Sequence, residues 1–160
     1  MCKNSANSIS ESKEMVEISR LQDLGWDKTQ KIQEEAIKHF SNDESFDFNI
    51  LIKDAPKKIM ADLVEVVVAK NLDEQCKSIN GLLYLLQDLS WPGSDRAMDL
   101  LKSFPKERLL PELESTLQEA YEENDDNWLG NLKMLIKYHS CSKDDFKNID
   151  LVQVLEKAAY

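Results

Sequence analysis

From Met15 onward, apolar residues recur every three or four positions, the spacing of a helix with one buried face. Met15, Ile18, Leu21 and Leu24 line a first predicted helix, and Gly25, tolerant of positive φ, predicts its end. A second helix is predicted to open at Asp27, with Gln30 reaching back to the cap, and to bury Ile32, Ala36, Ile37 and Phe40. Residues 41–54 break the pattern. Phe46, Phe48, Ile50 and Ile52 alternate as in a strand, but no second convincing strand exists to pair with them, so a packed loop or short helix is expected.

Pro56 suits the first turn of a third helix bearing Ile59, Met60, Leu63, Val64 and Val67, although its β-branched run VEVVVA would also suit a strand. A fourth helix, about residues 73–89, is predicted as the central one, because Cys76, Ile79, Leu82, Leu83, Leu86 and Leu89 form a broad apolar stripe. Pro92 is expected to start a fifth helix with Ala97, Leu101 and Phe104. Pro105 or Pro111 would start a sixth with Leu110, Leu113, Leu117 and Ala120. Asp125 and Asp126 favour the start of a seventh, with Trp128, Leu132, Leu135 and Ile136 on one side, and an eighth covers about 146–159.

The pattern predicts an all-α protein of about eight helices, roughly four pairs, arranged as a HEAT-like α-α superhelix or an irregular bundle. A repeated hexapeptide favours the superhelix: LQDLGW at 21–26 and LQDLSW at 86–91 lie 65 residues apart. Two repeats of about 32 residues would fill that offset, within the range of helix-pair repeats. The division expected is a disordered tail over 1–12, rich in Ser and Asn, and a single helical-repeat domain over 13–160.

Composition agrees: 42% hydrophobic and 31% charged residues suit a folded domain, and four Gly with four Pro disfavour a turn-dense β-sandwich. No apolar run approaches the roughly 18 to 20 residues that span a bilayer, and the start has no signal-peptide core, so no membrane association and a cytoplasmic location are expected. Cys2, Cys76 and Cys141 are too widely spaced for a disulfide framework or a paired zinc site. The net charge of −10 divides into −4 over residues 1–80 and −6 over 81–160, which disfavours nucleic acid and points to a basic protein partner.

Candidate chemistry is sparse. The repeated motif places Asp23 and Trp26, then Asp88, Trp91 and Pro92, at helix junctions. The structural reading is that each Trp, like Trp128, packs between successive pairs while each Asp caps the next helix. Residues 109–132 contain no Lys or Arg but carry Glu112, Glu114, Glu119, Glu122, Glu123, Asp125 and Asp126. Glu119, Glu122 and Glu123 are expected to share a helical face, making with Glu112, Asp125 and Asp126 a partner-binding acidic surface that steers a basic protein. These acids lack the spaced ligands and loop glycine of a cation site, so no metal is expected. His139, Cys141 and Asp144 form a compact group without an identifiable oxyanion hole, so no catalytic residue is assigned, and His39 is read as a structural helix-end residue. Without GxxxxGK[ST], GxGxxG or HExxH, no cofactor is expected either.

At LLQDLSWPGSDRAMDLLKSFPKERLLPELESTL followed by ENDDNWLGNL, over about 72–139, the chain resembles an uncharacterised bacterial domain family with HEAT-like helical repeats. Ser90 stands where that family's tryptophan–proline motif has Asn. The resemblance implies a small intracellular helical domain and transfers no catalytic residue. Together these readings predict a non-enzymatic interaction module, one concrete version being a toxin-neutralising immunity protein. The alternatives are a HEAT-like DNA-lesion-binding protein or glycosylase, for which Trp91 and Trp128 would supply aromatics around a base, and a homo-oligomer formed through the ends of the stack.

Overall fold

The computed structural model describes residues 20–160; Met15, Ile18 and the expected 1–12 tail lie outside them. Within the described residues the chain is all-helical, with nine α-helices and no strand. They are α1 (Gln30–Ser41), α2 (Phe48–Asp54), α3 (Lys57–Val68), α4 (Leu72–Cys76), α5 (Ile79–Tyr84), α6 (Ser94–Ser103), α7 (Lys106–Glu122), α8 (Asp126–Tyr138) and α9 (Leu151–Glu156). Short 3-10 turns follow α5 at Leu85–Gln87 and precede α9 at Lys143–Asp145.

Short polar side chains at the starts of five helices accept the free N–H groups there: Thr29 for α1, Asp47 for α2, Asn71 for α4, Asp125 for α8 and Asp150 for α9. The helices pack in two rows. One runs α1 on α3, α3 on α6 and α6 on α8; the other runs α2 on α5, α5 on α7 and α7 on α9. Cross-row contacts join α2 to α3, α5 to α6 and α8 to both α7 and α9. One continuous apolar cluster fills the space between, with Leu63, Val64, Leu82, Leu83, Leu101, Leu113 and Leu132 fully buried.

Two expectations hold. Residues 64–68 of the VEVVVA run are helical within α3, where Val64, Val66 and Val67 are buried together, so burial outweighs the β preference, and residues 48–54 form the short helix α2, with Phe48 and Ile52 inward and Ile50 exposed. Other expectations are corrected. The second helix opens at Gln30 behind Thr29, not at Asp27, whose carboxylate is instead 3.3 Å from Lys58 Nζ. Pro92 starts no helix: Gly93, at φ +87°, precedes α6 and lies against Ala61 and Val64 of α3. Pro105 caps α7, and Pro111 sits inside it. The last helix is shorter than expected, covering only Leu151–Glu156.

The largest correction concerns the predicted central helix over 73–89, which is divided into α4, α5 and a 3-10 turn. Asn49 of α2 explains the break. Its side-chain amide donates to Lys77 C=O at 2.7 Å and its oxygen accepts Gly81 N–H at 2.7 Å, satisfying backbone groups that an unbroken helix would pair internally. Gly81 permits this approach, because a Cβ there would stand 2.7 Å from the Phe48 ring.

Candidate interaction face

The acid-rich stretch folds into α7 and the turn into α8. Along α7, Glu107, Pro111, Glu114, Gln118 and Glu122 fall at i, i+4, i+7, i+11 and i+15, a single stripe of the helix. That stripe forms one wall of a groove of about 910 Å³, and Asp145, Lys147, Asn148 and Ile149 form the facing wall. Leu110, Pro111 and Ile149 give the groove apolar surface between its carboxylates.

Two of those carboxylates hold the facing wall in place. Glu114 accepts the backbone N–H groups of Lys147 at 3.1 Å and Asn148 at 2.5 Å. Asp145 accepts Ser142 N–H at 2.7 Å and lies 2.9 Å from Lys106 Nζ. The Ser142 N–H, with the Lys106 ammonium behind it, keeps the Asp145 carboxyl below its ordinary pKa; hydrogen bonding to Asp145 raises that of Lys106. Glu122 accepts one amide donor, Gln118 Nε2 at 2.8 Å. Glu107 and Glu119 have neither a hydrogen-bond nor an ion-pair partner among the described residues. Pro111 also lacks an N–H, so the Glu107 carbonyl has no α-helical i+4 donor. Along α7 the unpaired charged groups are thus carboxylates, while Lys147 brings an ammonium to the facing wall.

The acidic surface anticipated from sequence is therefore divided. Glu119 and Glu122 line the groove with Glu107 and Glu114, while Glu123, Asp125 and Asp126 line a second recess with Lys157, Ala158 and Ala159. Asn124 at φ +56° turns the chain between them, and Glu112 lines neither. Asp125 acts in folding, accepting Trp128 N–H at 2.9 Å as the cap of α8. The absence of Lys and Arg from 109–132 is offset in space, because Lys106, Lys147 and Lys157 return from elsewhere in the chain. Glu107 was legible as one more member of the α7 stripe; the 145–149 wall carried no sequence signal.

The junction residues also separate. Trp128 is buried and its Nε1–H donates to Leu83 C=O at 3.0 Å. Trp91 is half-buried against Tyr84, ring centroids 5.8 Å apart, with Pro92 beside it. Trp26 is 65% exposed and does not pack between helix pairs. Asp88 caps no helix: it accepts the N–H and hydroxyl of Ser90 at 2.8 and 2.6 Å, closing a local turn. Asp23 is half-buried, and its backbone N–H donates to Arg20 C=O.

No family model, curated protein or solved structure matches the chain. Its chemistry is thus read from its own residues. His139 Nε2 lies 3.1 Å from Leu101 C=O, which can only accept, so that nitrogen carries a hydrogen. Burial pushes the Cys141 thiol up, keeping it protonated near neutrality. No group of three or more His, Cys, Asp or Glu side chains among the described residues is placed to hold a metal ion, and no described helix is long and apolar enough to cross a membrane.

Proposed function

We propose that the chain is a non-enzymatic protein-interaction module that receives a basic partner along α7. The observation carrying this reading is the groove itself: Glu107, Glu119 and Glu122 form no ion pair among the described residues and lie beside the apolar surface of Leu110, Pro111 and Ile149. A partner bearing Lys or Arg next to apolar side chains would meet charge with charge and oil with oil. Toxin neutralisation is one concrete form of this role in a cytoplasmic protein, because a negative surface accelerates encounter with a basic target. The two-row packing supports kinship with HEAT-like helical repeats. Lesion recognition in DNA draws no support from the aromatics: Trp128 is enclosed by the core, and Trp91 stacks on Tyr84.

The test is binding of fluorescein-labelled hexalysine at low ionic strength. Replacing Glu107, Glu119 and Glu122 together by Lys should leave helicity by circular dichroism intact and weaken binding at least about tenfold, and added salt should weaken binding to the wild type. Equal affinity of the triple variant and the wild type would refute the assignment.

A further inference from the structure

The outer side of α8 carries the opposite chemistry to the α7 groove. Lys133, Met134, Lys137 and Tyr138 fall at i, i+1, i+4 and i+5, adjacent stripes turned away from the buried Leu132, Leu135 and Ile136. Met134 and Tyr138 are 42% and 59% exposed. Lys102 of α6 joins them, its Nζ 5.3 Å from the centre of the Tyr138 ring. Lys102, Lys133 and Lys137 form no ion pair among the described residues. The acids of these two helices are Asp95, Asp99 and Asp126, of which Asp99 alone lies within one turn of a patch residue. A chain of net charge −10 thus presents a locally positive, partly apolar face.

The patch and the groove match in kind. The groove offers Glu107, Glu119 and Glu122 beside Leu110, Pro111 and Ile149. The patch offers ammonium groups beside a thioether and a phenol ring. No lysine of the patch lines the groove of its own chain, whose lining contains one ammonium, that of Lys147. The match is therefore available between molecules. Repulsion between two acidic chains is screened beyond about 8 Å at physiological ionic strength, so the groups in contact decide the sign of the interaction.

We infer that a second copy of this chain is a partner of the α7 groove, docking its Lys102, Lys133 and Lys137 face head to tail against the acidic wall. This rests on the reading of the groove as the docking surface for a basic partner. The two surfaces differ, so the contact is heterologous: every docked pair retains one free groove and one free patch, and assembly extends unless the rotation closes a ring.

The experiment is sedimentation velocity at near-physiological ionic strength across rising protein concentration. The wild type should reach about twice the monomer mass or more, and saturating hexalysine, which competes for the groove, should return it to the monomer. Two neutralised variants, Glu107→Gln/Glu119→Gln/Glu122→Gln and Lys102→Gln/Lys133→Gln/Lys137→Gln, should each stay monomeric with wild-type helicity. Their equimolar mixture should form a dimer that grows no further, because only one pair of intact faces remains. A wild type that stays monomeric while binding hexalysine overturns the self-docking and leaves the acidic groove standing. Assembly of the lysine variant by itself overturns the basic face, and a mixture that stays monomeric overturns the head-to-tail pairing. Absence of hexalysine binding to the wild type at low salt overturns the groove, and with it the pairing.

Discussion

The two hexapeptides differ at one position in six, yet they present opposite residues to the core. In LQDLGW, Leu24 is fully buried and Trp26 is exposed; in LQDLSW, Leu89 is 41% exposed and Trp91 is half-buried against Tyr84. The difference follows the glycine. Gly25 occupies the fifth position of the first copy and takes φ +122° there, with its N–H donating to Asp62 Oδ2 at 2.7 Å. The second copy has Ser90 at that position, tied to Asp88, and the positive φ is postponed to Gly93. Moving the reversal by three residues turns a different Leu and a different Trp inward. Both glycines abut α3, Gly25 near Lys58 and Ile59 and Gly93 near Ala61 and Val64, so the copies dock on successive turns of one helix. A repeated sequence repeats a structure only when its backbone punctuation repeats too.

This contrast is broken most strongly at the leucines. Leu24→Ala should cost about 2 to 5 kcal/mol of unfolding free energy, whereas Leu89→Ala should cost less than about 1, as read from urea denaturation. Comparable losses would mean that the copies are equivalent after all. At the tryptophans the order reverses: Trp91→Ala, which removes the Tyr84 partner, should cost roughly 1 to 2 kcal/mol, and Trp26→Ala within about 0.5, measured in the same way.

The smallest effect belongs to Asp88, which only the second copy ties to a serine. Hydrogen bonds from the Ser90 hydroxyl and N–H lower its carboxyl pKa. A folded pKa below the unfolded value of about 3.9 contributes stability above that value and loses it as pH falls through the folded one. Asp88→Asn should therefore lower Tm slightly at pH 7, and the difference from wild type should close below about pH 4. A difference that persists in acid would assign the effect to shape rather than charge.

The all-helical architecture was legible because apolar residues recur at helical spacing in segments such as α8, whose Asp125 cap and apolar stripe agree. Side chains distant in sequence decided what was not legible. Asn49 divides the predicted central helix, and Lys58 draws Asp27 away from its expected cap; no local pattern announces either. The candidate site shows the same division. The acids of α7 were readable as a run, but which of them remain unpartnered depended on Glu114 receiving the Lys147 and Asn148 N–H groups and on Gln118 reaching Glu122. Helical spacing places Glu119 and Glu122 on α7 and cannot report what faces them.

The pairing of α8 with the 3-10 turn after α5 carries one more consequence. Trp128 Nε1–H reaches Leu83 C=O, and Asn131 Nδ2–H reaches Leu86 C=O at 2.7 Å, so donors from the C-terminal part of the chain close carbonyls at the end of a helix in its middle. Neither half contains a finished hydrophobic unit with its polar ends satisfied. The chain should consequently behave as a single foldon across this junction, with the exchange protection of α5 and α8 rising and falling together.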